Sequence, residues 1–146
     1  MTAQPEHRLR FANFEFTRLP SGQCHAKVDL DRSTGDVYSG IMEASGSPTV
    51  QLRCAALATL AALHKAVEAR YSFELLDTSF ELLGIKSVHA FDGTVVVVGI
   101  TANRGERTRQ LIGACAVDES LPRAAALAVL NATNRFLANA PFPFAL

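Results

Sequence analysis

The sequence predicts an α+β fold of two tandem βββα units, with antiparallel meander sheets packed on two long helices and the halves related by a pseudo-two-fold axis. Three observations carry this. Short alternating stretches bounded by turn residues come in threes, each triplet is followed by a stretch of helical period, and the order starts again about seventy residues later.

The first stretch, LRFANFEF at 9–16, is rich in aromatics but breaks its alternation around Asn13, as a strand with a bulge does. Residues 24–30 alternate cleanly. Cys24, Ala26, Val28 and Leu30 share one face, and His25, Lys27 and Asp29 the other. The turn DRSTGD leads into VYSGIMEA, a third strand joined through a glycine-containing hairpin. From Val50 to about Glu68 the period becomes 3.6, and Val50, Cys54, Leu57, Leu60, Leu63 and Val67 fall on one broad face. The series then repeats: a strand in SFELLDTSFELL (72–83), TVVVVGIT, the turn ANRGE, RTRQLIGACAV, and a helix from about Ser120 to Ala138.

An ungapped overlay of 32–63 on 102–133 supports a duplication. It matches Gly35 with Gly105, Ala44 with Ala114, Arg53 with Arg123, and a run of alanines and leucines in the helices. Repeat one is placed at about 9–69 and repeat two at about 72–139, within a single domain spanning 1–146. In the second helix Leu121, Ala125, Ala128, Val129, Ala132 and Phe136 form one face while Leu127, Leu130 and Leu137 extend onto another. So little polar circumference calls for cover on two sides, from the helix's own sheet and from either the sister helix or a second subunit.

At 49% hydrophobic residues the chain can bury a real core, and 14 basic against 14 acidic residues exert no net pull toward nucleic acid or anionic membrane. The N-terminal MTAQPEHRLRFANFEF has charges and a proline where a secretory signal needs an apolar run, and no segment is long enough to span a bilayer. A cytoplasmic protein with no membrane partner is expected. Cys24, Cys54 and Cys115, an odd number without close pairing, fit reduced thiols.

With this order in hand, the chain resembles the C-terminal regulatory, or dimerisation, domain of 2-isopropylmalate synthases and the related citramalate synthases. The residues that carry the resemblance are FELLDTSFELL, the helix end LNATNRFL with Asn131, Ala132, Asn134 and Arg135, and SGSPTVQLRCAA at the first helix opening. At that opening the family has a Gly-Asp-Gly-Pro turn. Aligned on Pro48, this chain has Ser45 and Ser47 for the two glycines, Gly46 for the aspartate and Val50 for a polar residue. The resemblance implies a module that binds an amino acid end product and pairs subunits, here without the family's catalytic barrel and so as a stand-alone protein.

The candidate binding residues are Gly46, Ser47, Pro48 and Thr49 at the first helix opening and Glu119 and Ser120 at the second. A helix N-terminus offers unpaired N–H groups and partial positive charge, which suit a carboxylate. Ser47 before Pro48 equally suits an N-cap followed by an N1 proline, and both roles are compatible. Asp118 and Glu119 already complement the second helix's dipole, so an ammonium group fits better there. Catalytic residues, metal and cofactor are not expected. The four histidines lack ligand spacing, Cys24 and His25 point to opposite strand faces, and His64 with Glu68 reads as a solvated i,i+4 pair. Arg104, Arg107 and Arg109 cluster about one hairpin, but Asp29, Asp31 and Asp36 mark the other, which argues against nucleic acid. The leading expectation is a non-enzymatic homodimeric regulatory module for a small carboxylate or amino acid, acting on an unidentified partner enzyme. The alternatives are a structural dimerisation protein without a ligand and, further off, a nucleic-acid binder.

Overall fold

A computed structural model describes residues 9–32, 35–70 and 78–139. The elements run β1 (Arg10–Arg18), β2 (Gln23–Asp31), β3 (Val37–Ser45), α1 (Pro48–Arg70), β4 (Thr78–Ala90), β5 (Gly93–Arg104), β6 (Arg107–Ala116) and α2 (Leu121–Asn139). The strands make two antiparallel meanders, β1-β2-β3 and β4-β5-β6, each followed by its helix. The α+β class and the tandem βββα order agree with the sequence.

The ladders give the duplication a sharper form than the ungapped overlay. In β1 a bulge lies between Phe11 and Asn13, opposite Leu30 and Asp29; in β4 it lies between Leu82 and Gly84, opposite Ile100 and Gly99. The same irregularity at the same ladder position is conformational evidence that amphipathic patterning alone would not supply. Leu30 pairs with Tyr38 but Ile100 with Leu111, so the second hairpin is longer by three residues. Gly35 and Gly105 sit in the turns of these hairpins, both at positive φ (102° and 61°). Matching Ala44 with Ala114 is therefore corrected. Ala44 lies across from Cys24, and its counterpart is Val117, whose N–H bonds to Thr94 O.

The fourth strand is also corrected. It begins at Thr78 and runs to Ala90, well past the end expected at residue 83, while residues 72–77 lie outside the described residues. The Leu83 bulge shifts the alternation midway, and GIKSVHA, though paired in unbroken register, mixes polar and apolar residues on both faces. The strand ends in a two-residue turn, Phe91 and Asp92, both at positive φ (54° and 62°), before Gly93.

The helix–sheet seams rest on one glycine each. A Cβ on Gly40 would lie 2.0 Å from Ala58 O, and one on Gly113 would lie 2.1 Å from Ala128 O. Both glycines pair with the central valine of the neighbouring strand, Val28 and Val98. The alanine faces of the helices thereby settle directly on the sheet backbone.

Each helix also reaches the other repeat. α1 packs on β2, β3, α2 and β4, and α2 on β5, β6, α1 and, more lightly, β1. Asn134 of α2 accepts the Leu9 N–H (3.1 Å) and donates to Leu9 O (2.9 Å), and at the corresponding place His64 of α1 accepts the Phe80 N–H (3.1 Å). Leu9 and Phe80 are buried, and Phe80 meets Phe136 edge-on at 5.6 Å. The cover required by helices with so little polar surface therefore comes from the sister helix and the other sheet, within one chain.

Candidate functional site

At the opening of α1, Gly46, Ser47, Pro48 and Thr49 are all exposed. Gly46 has φ +152°, its N–H is spent on Gly22 O (3.2 Å), and a Cβ there would meet Val50 Cγ2 at 3.0 Å. Glycine at 46 is thus explained by backbone shape and by Val50. Ser47 occupies the N-cap position, since its carbonyl accepts the Gln51 N–H (3.1 Å), and Pro48 begins the helix where a missing N–H costs nothing. Among the described hydrogen bonds the Ser47 hydroxyl takes none from the helix.

The opening of α2 is built differently. Ser120 caps it fully: its Oγ accepts the Arg123 N–H (3.2 Å) and its carbonyl accepts the Ala124 N–H (3.1 Å). The Arg123 Nε lies 3.6 Å from Glu119 Oε1, one turn away, and its guanidinium sits 5.0 Å from the centre of the Phe11 ring. This cation–π contact ties the start of α2 to the aromatic strand of the other repeat.

Two clefts lie where a third strand runs into its helix. One, of about 410 Å³, is bordered by Thr17, Gln23, His25, Glu43 and Ser45 with Cys24 and Ala44. The other, of about 330 Å³, is bordered by Asp118, Glu119 and Arg123 with Cys115, Ala124 and Leu127. They overlap in place only at the end of the third strand, since the first is walled by β1 and β2 and the second by α2. Glu43 pairs with His25 as Ala116 pairs with Val95, and Ser45 and Asp118 each stand two residues further along. Of the six candidate residues only Glu119 borders a described cleft, with Ser120 as the cap beside it; Gly46–Thr49 border neither. Sequence reasoning missed Arg123, although its match to Arg53 was a visible signal.

The shifted titratable groups respond first to burial. Burial pushes the Cys115 thiol up, while the Arg123 guanidinium pulls it down and the Asp118 carboxylate adds to the rise, so all three feel the same cleft. Cys54 is pushed up to about 12, first by burial and then by the adjacent Cys24 thiol. Cys24 and Cys54 are both buried, and the alternation of β2 puts Cys24 inside and His25 outside, so they form no dyad. His64, expected in a solvated pair with Glu68, is instead half-buried. Burial lowers its pKa below 6.5 against the pull of Glu68, and its Nε2 is engaged by the Phe80 amide.

Among the described residues no group of three His, Cys, Asp or Glu is placed to hold a metal, and no helix is long and apolar enough to cross a membrane. Arg104, Arg107 and Arg109 fall on the helix-facing side of the second hairpin, beyond the Gly113 seam. No protein-family model and no curated protein matches the chain.

Proposed function

We propose that this protein is a non-enzymatic regulatory module that binds a small amino-acid-like or carboxylate metabolite beside a helix opening and works as a homodimer. The observation that supports it best is the α2 cleft, where two carboxylates and a guanidinium meet an apolar wall. An α-amino acid carries both charges on one carbon, so its site needs an acid and a base only a few ångströms apart. Arg123 presents a planar fork suited to a carboxylate, Asp118 and Glu119 suit the ammonium, and Ala124 with Leu127 would receive an aliphatic side chain. The volume of about 330 Å³ falls in the range of small-molecule sites. The Arg123–Glu119 contact is long at 3.6 Å and its Glu119 side is 70% exposed, so it is worth little as a salt bridge and a ligand can displace it at small cost. The cleft in repeat one has Glu43 and His25 but no arginine and no helix wall, so the two halves would differ in what they accept. The resemblance to the regulatory domain of 2-isopropylmalate synthases supports the same reading, with an enzyme as the partner it regulates.

A thermal-shift screen over amino acids, 2-oxo acids and small dicarboxylates tests this. A ligand at a hundred times its Kd stabilises the fold by about 2.7 kcal/mol, equivalent to about 5–10 °C for a chain of this size. Arg123→Gln should abolish the shift while lowering the unliganded melting temperature by only about 2–4 °C through loss of the Phe11 contact. If no compound in these classes raises the melting temperature, the ligand reading fails and a purely structural dimerisation protein takes its place.

A further inference from the structure

The two sheets share a topology but differ in the chemistry of the face turned away from the helices. On the first sheet the central positions of that face are His25, Lys27 and Asp29, with Ser39 donating to Asp29 Oδ1 at 2.6 Å, and its apolar residues, Ile41 beside Lys27 and Val37 beside Asp31, lie on the edge strand β3 and are 55% and 56% exposed. The corresponding positions on the second sheet are Val95, Val97, Gly99 and Ile112. Ile112 is 64% exposed, and Leu83, raised on the β4 bulge beside Gly99, is 61% exposed. The fold therefore tolerates charged residues along the central strand of an outer face, and the unbroken apolar run there in repeat two needs another explanation.

Gly99 points the same way. Its φ is not in the left-handed region, and a Cβ there would make only ordinary contact with Leu83, the nearest atom at 3.6 Å. The chain's own packing does not require this glycine, in contrast to Gly40 and Gly113. A glycine at mid-strand commonly marks the close approach of another backbone.

We propose that the outer face of β4-β5-β6 is the surface through which two copies of this chain pair, sheet against sheet. Three strands about 4.8 Å apart and about ten residues long at 3.3 Å each give a footprint on the order of 480 Å². With side-chain relief added, two such faces reach the lower bound for a specific interface, about 1,200 Å² in total. The charges on the face are self-complementary. Lys86 pairs with Val97 on one side of the Gly99 row, and Glu81 pairs with Thr101 on the other. A two-fold axis lying in the face and crossing the strands at Gly99 brings Lys86 of each copy over Glu81 of the other. The proposal rests on the pairing in the proposed function and not on its ligand, so an empty thermal-shift screen leaves it standing.

Sedimentation velocity at tens of micromolar tests it. The unaltered chain should be a dimer, Ile112→Lys should weaken pairing by at least about a hundredfold by burying an uncompensated charge, and Ser39→Lys, the same change on the first sheet, should leave the dimer intact. Charge reversal at Lys86→Glu should also weaken pairing, and adding Glu81→Lys should restore it. If Ile112→Lys fails to fold, methyl resonances of Leu83, Val97 and Ile112 in the unaltered chain provide the second measurement, since they should shift on dilution. A monomeric unaltered chain means that something other than a second copy covers the face, and overturns the proposal. A dimer that survives Ile112→Lys, or one broken by Ser39→Lys, overturns it equally.

Discussion

Replacing Gly40 by alanine adds one methyl group to the seam on which α1 rests. That carbon would lie 2.0 Å from Ala58 O, 2.5 Å from Ala62 N and 3.0 Å from Ala61 Cβ. Two of the three are helix backbone, so no rotamer change relieves the overlap. Ordinary contact requires more than 3 Å, and α1 must retreat by over 1 Å or the strand must buckle. Because α1 also holds β2, α2 and β4, a retreat opens gaps along its whole face, and a gap of 0.5–1 Å forfeits a quarter to a half of each dispersion contact. Overpacking of this kind costs typically 1–3 kcal/mol, and the rigid neighbours here put the expected loss at about 3 kcal/mol. For a chain of this length that lowers the melting temperature by about 6–12 °C. Gly113→Ala should behave alike, its Cβ lying 2.1 Å from Ala128 O, whereas Gly99→Ala, with nothing nearer than 3.6 Å, should leave monomer stability within about 0.5 kcal/mol. Chemical denaturation of the three variants, with sedimentation to separate unfolding from dissociation, provides the measurement. A Gly40→Ala variant that melts within about 2 °C of the unaltered chain refutes the claim that helix and sheet touch backbone to backbone.

Four further expectations follow from named contacts. His64 has a folded pKa below its unfolded value, so its contribution to stability is complete above about pH 6.5 and is lost as the pH falls through that value toward the lower folded one. His64→Asn, which supplies the acceptor that Asn134 uses on Leu9, should flatten that slope in denaturation curves taken between about pH 7 and pH 5. In a thiol-reagent titration at about pH 8, partly buried Cys115, its thiol pushed up by burial, should react slowly in the native chain, while Cys24 and Cys54 should react only after unfolding. Ser120→Ala should cost about 1 kcal/mol by calorimetry and Ser47→Ala only a few tenths, because only the Ser120 hydroxyl caps a helix N–H. Phe91, 99% exposed at φ 54°, should yield a gain of about 0.5–1 kcal/mol when changed to Asn, which tolerates that region.

The candidate site was only partly legible. Ser120 could be read as a cap and Glu119 as a neighbour of the α2 opening, since capping chemistry depends on residues three or four apart. Arg123 entered the cleft unannounced. Its position depends on Phe11, more than a hundred residues earlier, and on the way α2 crosses the first strand of the other repeat. Gly46 was read as a candidate binding residue at the helix opening; its N–H bonds to Gly22 O, and a Cβ there would crowd Val50. A single sequence cannot separate a glycine kept for a ligand from one kept for a turn, because both uses call for the same absent Cβ.

The sequence by itself determined what local periodicity can encode. Alternation along 24–30, the helical period after Val50, the bulge near Asn13 and the doubled βββα order are all properties of neighbours within a few residues, and the structure retains them. Tertiary structure alone decided which surfaces meet. The three-residue difference between the hairpins, the exchange of His64 and Asn134 between repeats, and the backbone contacts at Gly40 and Gly113 join segments that no local pattern relates. The same holds for the outer sheet faces. Period two assigns Val95 and Val97 to the side opposite Val96 and Val98, but a run of four valines does not say which side the helices cover, and that choice leaves Leu83 and Ile112 in solvent.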